Sequence, residues 1–211
     1  MPKPFDKLNA IAAPIMRGNI DTDVIIRIER LVGNSIRGTL GKWAFGSLRY
    51  LPDGAENPDF ILNREPYRNA EVLITGPNFG CGSSREGAVW SLQEMGIRAI
   101  IGSGFGDIFF ANCFQNGILP IMVDKQIVDG LAMEVEHSQG AGRVSIDLEE
   151  QIITSPTGKV HRFEIDPRRR AGLLKGLDEI ALTLQRDAEI RAFQATDREA
   201  RPWIHLARNH A

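Results

Sequence analysis

The residues best equipped for chemistry stand together in Gly76-Pro-Asn-Phe-Gly-Cys-Gly-Ser-Ser-Arg-Glu86. The run follows the apolar stretch Val72–Thr75 and precedes a helical pattern with Ala88, Val89, Leu92 and Met95 on one face. That order predicts a strand-to-helix turn, with the helix starting at Ser83 or Ser84. Such a turn offers free backbone N–H groups and the positive end of a helix dipole, so an anion is its natural guest. Glycine lets the backbone approach a ligand closely, and the backbone of Gly80, Cys81 and Gly82 would form the anion-facing turn. Arg85 falls in the expected first helical turn, where the dipole disfavours a cation by a few tenths to about 1 kcal/mol. An arginine beside free N–H groups instead makes a forked site for carboxylate or phosphate. The structural alternative has Ser83 as an N-cap and Glu86 closing a capping box. It accounts for those two residues, but not for Ser84, Arg85 and the glycines together.

Two nucleotide readings fail by residue. A phosphate loop of the G-x-x-x-x-G-K-[ST] type needs a lysine, and none stands here. A dinucleotide fingerprint counted from Gly80 and Gly82 needs glycine at position 85, which is Arg85. A small carboxylate, with a serine hydroxyl alongside, fits better.

The run Asn78-Phe-Gly-Cys-Gly-Ser-Ser-Arg-Glu86 resembles the signature of the aconitase-type swivel-domain family, as found in 3-isopropylmalate dehydratase small subunits. Four further blocks are similar to that family in order and spacing: Asn19-Ile-Asp-Thr-Asp-Val-Ile-Ile26, Asn57-Pro-Asp-Phe-Ile-Leu62, the stretch Ala99 to Ile121, and Leu174 to Leu184. Departures stand at Gly87-Ala-Val-Trp90, where the family usually has His-Ala-Pro-Trp, at Arg27, where a proline is common, and at Gly106, where the family has alanine.

The resemblance implies a hydro-lyase that moves a hydroxyl between neighbouring carbons by dehydration and rehydration. It assigns the base to Ser83, and the substrate carboxylate to Ser84 and Arg85. Thr22 and Asp23 match a second active-site segment, in which the aspartate positions catalytic groups. Without the resemblance, Asp21, Thr22 and Asp23 read as ordinary turn chemistry. A serine is a poor base near neutral pH, so its alkoxide needs the N–H groups and Arg85 nearby. The departing hydroxide needs a Lewis acid, which in the family is a [4Fe–4S] cluster held by three cysteines. This chain has two cysteines, Cys81 and Cys113, so no metal is expected on it and the cluster is expected on a separate large subunit. Relatives acting on tricarboxylates carry an arginine in the loop after the D-x-I segment. Counting from Asp23 places that position at Val32, beside Leu31 and Gly33. An apolar residue there suits the branched alkyl group of isopropylmalate. Two alternatives stay open: a related dehydratase acting on a methylated malate or citrate-like acid, and a non-catalytic carboxylate-binding module.

The elements that must position these groups follow from pattern. A chain of 211 residues with 43% hydrophobic content can bury a sizeable core. A formal net charge of −2 gives no electrostatic case for nucleic acid. Leu8–Met16 is too short to span a membrane, and a cytoplasmic location with reduced thiols is expected. Residues 10–28 read as strand, turn, strand. The segment 30–60, rich in Gly, Pro and Asn, reads as a long, partly mobile loop with a short helix near Trp43–Leu48. Strand 71–75, helix 84–95, strand 98–102, helix 107–115 and strand 118–123 alternate as in a parallel sheet, and Asp124 opens a helix to about Glu136. A β-hairpin over 143–165 turns at Ser155–Gly158, and helices follow at 167–175, 177–184 and 186–194. The expected architecture is α/β: one swivelling β/β/α domain over residues 1–195, with parallel βαβ units, an added hairpin and C-terminal helices, then a polar tail over 196–211.

Overall fold

The computed structural model describes residues 2–32 and 37–204. Seven strands form one mixed sheet in the order β4-β3-β2-β1-β5-β6-β7. Strand β1 (Lys7–Ile15) shows how sequence sets this order. Its first half, Lys7–Ile11, pairs antiparallel with β5 (Arg143–Asp147), and its second half, Ala12–Ile15, pairs parallel with β2 (Val72–Thr75). The first half keeps residues in contact with water, whereas Ala12, Ala13, Pro14 and Ile15 are all buried. That is the change from a one-sided to a two-sided buried strand. Strands β2 and β3 (Ala99–Gly102) are buried at every position, as their unbroken apolar runs require.

Right-handed crossovers are the rule for such parallel neighbours. Here α3 (Gly87–Glu94) joins β2 to β3, and α4 (Asp107–Gln115) joins β3 to β4 (Leu119–Met122). Helix α5 (Lys125–His137) buries Val128, Leu131, Ala132 and Val135 along one stripe. The antiparallel edge is completed by β6 (Ile152–Thr154) and β7 (Val160–Arg162). The chain ends in helices α6 (Pro167–Lys175), α7 (Glu179–Leu184) and α8 (Asp187–Ala200). No helix among the described residues is long and apolar enough to cross a membrane. The α/β class, the parallel units, the hairpin and the terminal helices match the sequence expectation.

Three local expectations need correction. The second strand expected within 10–28 is instead the short helix α1 (Thr22–Ile25). The β-branched run Val24-Ile25-Ile26 suggests a strand, but Asp21 Oδ1 accepts from the Val24 amide at 2.7 Å and caps a helical turn. Ile20, Ile25 and Ile26 are then all buried together. Helix α3 starts at Gly87 rather than Ser83 or Ser84, and no side chain caps it. The Ser83 carbonyl is already committed to the Arg85 amide at 2.8 Å and the Thr22 hydroxyl at 3.0 Å, so the chain is still in a turn there. The capping box of Ser83 and Glu86 is therefore not formed, and Arg85 precedes the helix. Finally, α8 runs through residues 196–200, where a polar tail was expected; residues 205–211 lie outside the described set.

The long segment before β2 is tied down by side-chain-to-backbone bonds. The Glu94 carboxylate accepts from the amides of Gly38, Leu40 and Gly41. Asn57 and Asn63 bridge this segment internally: Asn57 Nδ2 donates to the Leu48 carbonyl, and Asn63 Nδ2 to the carbonyls of Arg49 and Asn57. The short helix α2 (Gly46–Arg49) lies within the expected stretch.

Candidate functional site

Three loops leave the C-terminal ends of the parallel strands β1, β2 and β3 and are stitched to one another. From the β1 side, the Ile20 carbonyl accepts from the Gly80 amide at 2.7 Å, and the Thr22 amide donates to the Cys81 carbonyl at 2.9 Å. Asn78 Nδ2 donates to Asn19 Oδ1 at 2.8 Å. From the β3 side, the Phe79 amide donates to the Gly104 carbonyl at 3.1 Å and the Gly106 amide to the Phe79 carbonyl at 2.9 Å. The carboxyl ends of parallel strands are where open α/β sheets bind ligands. Two glycines are required by this packing. Gly80 has φ +70°, and a Cβ on it would lie 2.2 Å from the Phe109 ring. A Cβ on Gly106 would lie 2.5 Å from the Gly80 carbonyl oxygen.

On this stitched backbone, Arg85 and Asp23 face each other. Nη1 and Nη2 of Arg85 donate to Oδ1 and Oδ2 of Asp23, both at 2.6 Å. The hydrogen bond from Arg85 holds the Asp23 carboxyl below the usual carboxylate range, against a smaller opposing effect of burial. Asp23 in turn raises the pKa of the Arg85 guanidinium. A guanidinium has five N–H donors. Two are used here, and the others donate to no acceptor among the described residues.

Thr22 is buried, and its hydroxyl donates to the Ser83 carbonyl. With that carbonyl fixed, Ser83 and Ser84 both stand exposed. The amides of Gly82, Ser83 and Ser84 donate to no carbonyl among the described residues. The arrangement can therefore hold an anion and present a hydroxyl to it, which is the chemistry expected from spacing alone.

Beside Arg85 opens a hollow of about 240 Å³, lined by Ile28, Leu31, Leu40, Gly87 and Trp90 and by the charged residues Arg37, Arg85 and Glu86. A Cβ on Gly87 would lie 2.5 Å from Leu31 Cδ2. A side chain at position 87 would therefore meet the end of the Leu31 side chain, which would have to move. Val32 is 59% exposed on the same loop, and its neighbour Gly33 lies outside the described residues.

Thr22, Asp23, Gly80, Cys81, Gly82, Ser83 and Arg85 thus meet, with Ser84 next in the chain. Sequence reasoning missed the hollow and a polar cluster behind Glu86, formed by Asn116 and Arg37. Neither has a spacing signal, because each draws on separate loops. Cys113 is fully buried, and burial pushes its thiol well above the ordinary range; Cys81 is half-buried. No group of three His, Cys, Asp or Glu side chains converges among the described residues.

Comparison with known proteins gives three family matches in sequence. The Aconitase C-terminal domain model matches residues 2–126, and LeuD_N matches 129–167. The model for the C-terminal domain of the 3-isopropylmalate dehydratase small subunit matches 179–206. A Gluconacetobacter diazotrophicus protein named 3-isopropylmalate dehydratase small subunit is 51% identical over 94% of this chain and 95% of its own length. One of the same name from Afipia carboxidovorans is 49% identical over 95% of this chain and 98% of its own. The crystal structure of a 3-isopropylmalate dehydratase chain from Methanocaldococcus jannaschii superposes with a TM-score of 0.63 at 23% identity, covering 89% of this chain and 99% of that one. At that identity it supports the fold alone.

Proposed function

This chain belongs to the 3-isopropylmalate dehydratase small-subunit family, built on the aconitase C-terminal domain, and from that premise we propose how its residues serve the reaction. The activity is that of a hydro-lyase component. It interconverts 2-isopropylmalate and 3-isopropylmalate by loss and return of water, a step of leucine biosynthesis, and as a small subunit it acts with a large one.

Ser83 is the base that takes the proton from carbon next to a substrate carboxylate. The free amides of the turn and the nearby Arg85 cation stabilise its alkoxide, as pre-aimed donors do where charge develops. Ser84 and the unused N–H groups of Arg85 hold the carboxylate. Asp23 keeps the guanidinium in place, since a bidentate pair fixes both distance and plane. Thr22 anchors the Ser83 backbone so that its hydroxyl faces outward. A [4Fe–4S] cluster on the large subunit would supply the Lewis acidity for the departing hydroxyl. The chain is read as half of a shared, cytoplasmic active site, with a hydroxy-dicarboxylate as substrate and no nucleic acid or membrane partner.

The observation that carries this reading is the Asp23–Arg85 fork, 2.6 Å in both arms, beside two exposed serine hydroxyls. The apolar side chains of the hollow next to Arg85, Ile28, Leu31, Leu40 and Trp90, suit an isopropyl substituent, whose contact gains about 1–3 kcal/mol. Co-expression with the large subunit and an anaerobic assay of 2- and 3-isopropylmalate interconversion test it. Turnover that survives Ser83→Ala in a folded, assembled enzyme would remove Ser83 from the mechanism.

A further inference from the structure

Next to Arg85 in the chain, Glu86 bonds to one buried amide that joins three separate segments. Asn116 follows the last residue of α4 and is 4% exposed. Its Nδ2 donates to Glu86 Oε1 at 2.8 Å and to the Asn112 carbonyl at 2.9 Å. Its Oδ1 accepts from Arg37 Nη2 at 2.8 Å. Its backbone carbonyl accepts from Gln93 Nε2 of α3 at 2.6 Å. The Arg37 guanidinium also lies over the Trp90 ring, 4.8 Å from its centroid.

The chemistry of this node is specific. One end of the amide is a donor and meets a carboxylate; the other is an acceptor and meets a guanidinium. An isosteric aspartate would serve Arg37 but repel Glu86, and an apolar residue would serve neither. What the node holds is equally specific. Glu86 directly follows Arg85, and its carbonyl accepts the Val89 and Trp90 amides at 2.9 and 3.1 Å where α3 begins. With its side chain tied to Asn116, Glu86 is fixed at both ends. Arg37 lines the same hollow as Arg85 and Glu86, and the neighbouring Gly38, Leu40 and Gly41 amides are held by Glu94.

We propose that Asn116 is a positioning residue: it ties Glu86, the residue after Arg85, and Arg37 to one point. The carboxylate fork and the Arg37–Glu86 side of the hollow beside it are thereby held in fixed relation. This rests on the assignment of Arg85 as the carboxylate holder made above.

The experiment uses a swap. In the assembled enzyme, Asn116→Asp is expected to raise KM for 2-isopropylmalate about tenfold with kcat changed by less than about threefold, the signature of lost ground-state positioning. Adding Glu86→Gln restores a donor opposite an acceptor with the roles exchanged, while the bond to the Asn112 carbonyl stays lost. It should lower KM at least about threefold from that of the single variant, a non-additivity expected of residues in direct contact. Glu86→Gln alone keeps the acceptor for Nδ2 and should resemble wild type. A role confined to stability would lower Tm and assembly while leaving KM unchanged, and that outcome overturns the proposal. So does a failure of Glu86→Gln to rescue.

A readout without substrate separates this proposal from the reading of the site. In the isolated chain, Asn116→Asp should speed hydrogen exchange of the Val89 and Trp90 amides, and the double variant should restore it. Unchanged exchange overturns the proposal by itself. A wild-type complex with no isopropylmalate turnover would instead overturn the assignment of the site, and the exchange data would still decide the role of Asn116.

Discussion

Arg85 is worth more to this site as an arginine than as a charge. Its two in-plane bonds to Asp23 need the planar fork, and the remaining N–H groups need that plane to be held. Arg85→Lys in the assembled enzyme should therefore lower kcat/KM by about 10- to 100-fold, in line with the roughly 1.5–3 kcal/mol of a hydrogen bond to a charged group. Steady-state kinetics on both isomers measure it. Ser83→Ala should lower kcat by about 100-fold or more, the lower end for loss of a proton-transfer group. Because Ser83 caps no helix and its hydroxyl is exposed, the same change should move stability by less than about 0.5 kcal/mol, measured by urea unfolding of the isolated chain. The cluster of Ser83, Ser84 and Arg85 was legible in sequence because three polar residues beside two glycines leave little else to explain them. The helix start was not. It is set by the Thr22 hydroxyl on the Ser83 carbonyl, a contact between residues distant in the chain.

Between elements, carboxylates act as clasps. Glu134 of α5 reaches the turn between β6 and β7, where Lys159 Nζ donates to it at 2.8 Å and Thr157 Oγ1 at 2.7 Å. Burial disfavours the charged form of Glu134, but hydrogen bonds from Lys159, Ser155 and Thr157 together outweigh it and hold the pKa at about 2. The unfolded value is about 4.3. A depressed carboxyl contributes stability that is fully present above the unfolded value and is lost as pH falls through the folded one. Wild type should therefore lose stability between about pH 4.5 and 2, and Glu134→Gln should show a shallower loss over that window, read from urea midpoints. At this scale the alternation of strands and helices from Val72 to Met122 was plain from periodicity. Helix α1 was not, since its β-branched residues favour a strand locally, and the Asp21 cap together with burial of Ile20, Ile25 and Ile26 reverses that preference.

For the whole molecule, the site faces outward and is incomplete on this chain in the reading above. The isolated chain is expected to show no dehydratase activity and no iron–sulfur absorbance after anaerobic reconstitution, whereas the co-expressed complex shows both. Stoichiometric cluster absorbance in the single chain would contradict the shared site. In the complex, Val32→Arg should shift the ratio of kcat/KM from isopropylmalate towards tricarboxylates such as citrate. The gain and loss of about 1–3 kcal/mol for a small apolar contact sets the scale of that shift. The overall α/β order could be read from the sequence, but the joining of its two halves could not, because the change of burial pattern along β1 does not name the distant strands, β5 and β2, that pair with each half.

That change of partners orders events in time when the chain is made. The β2-facing half of β1 finds its neighbour as soon as Val72–Thr75 is synthesised, and the loops carrying Thr22, Ser83 and Gly106 all lie upstream of α4. The other half, Lys7–Ile11, has no partner until Arg143–Asp147 leaves the ribosome. A nascent chain therefore carries an assembled set of site loops beside an open sheet edge for much of its synthesis. Such an edge is a template for pairing with another chain. A chain truncated upstream of Arg143 would keep that edge open, because Lys7–Ile11 then lacks its partner strand.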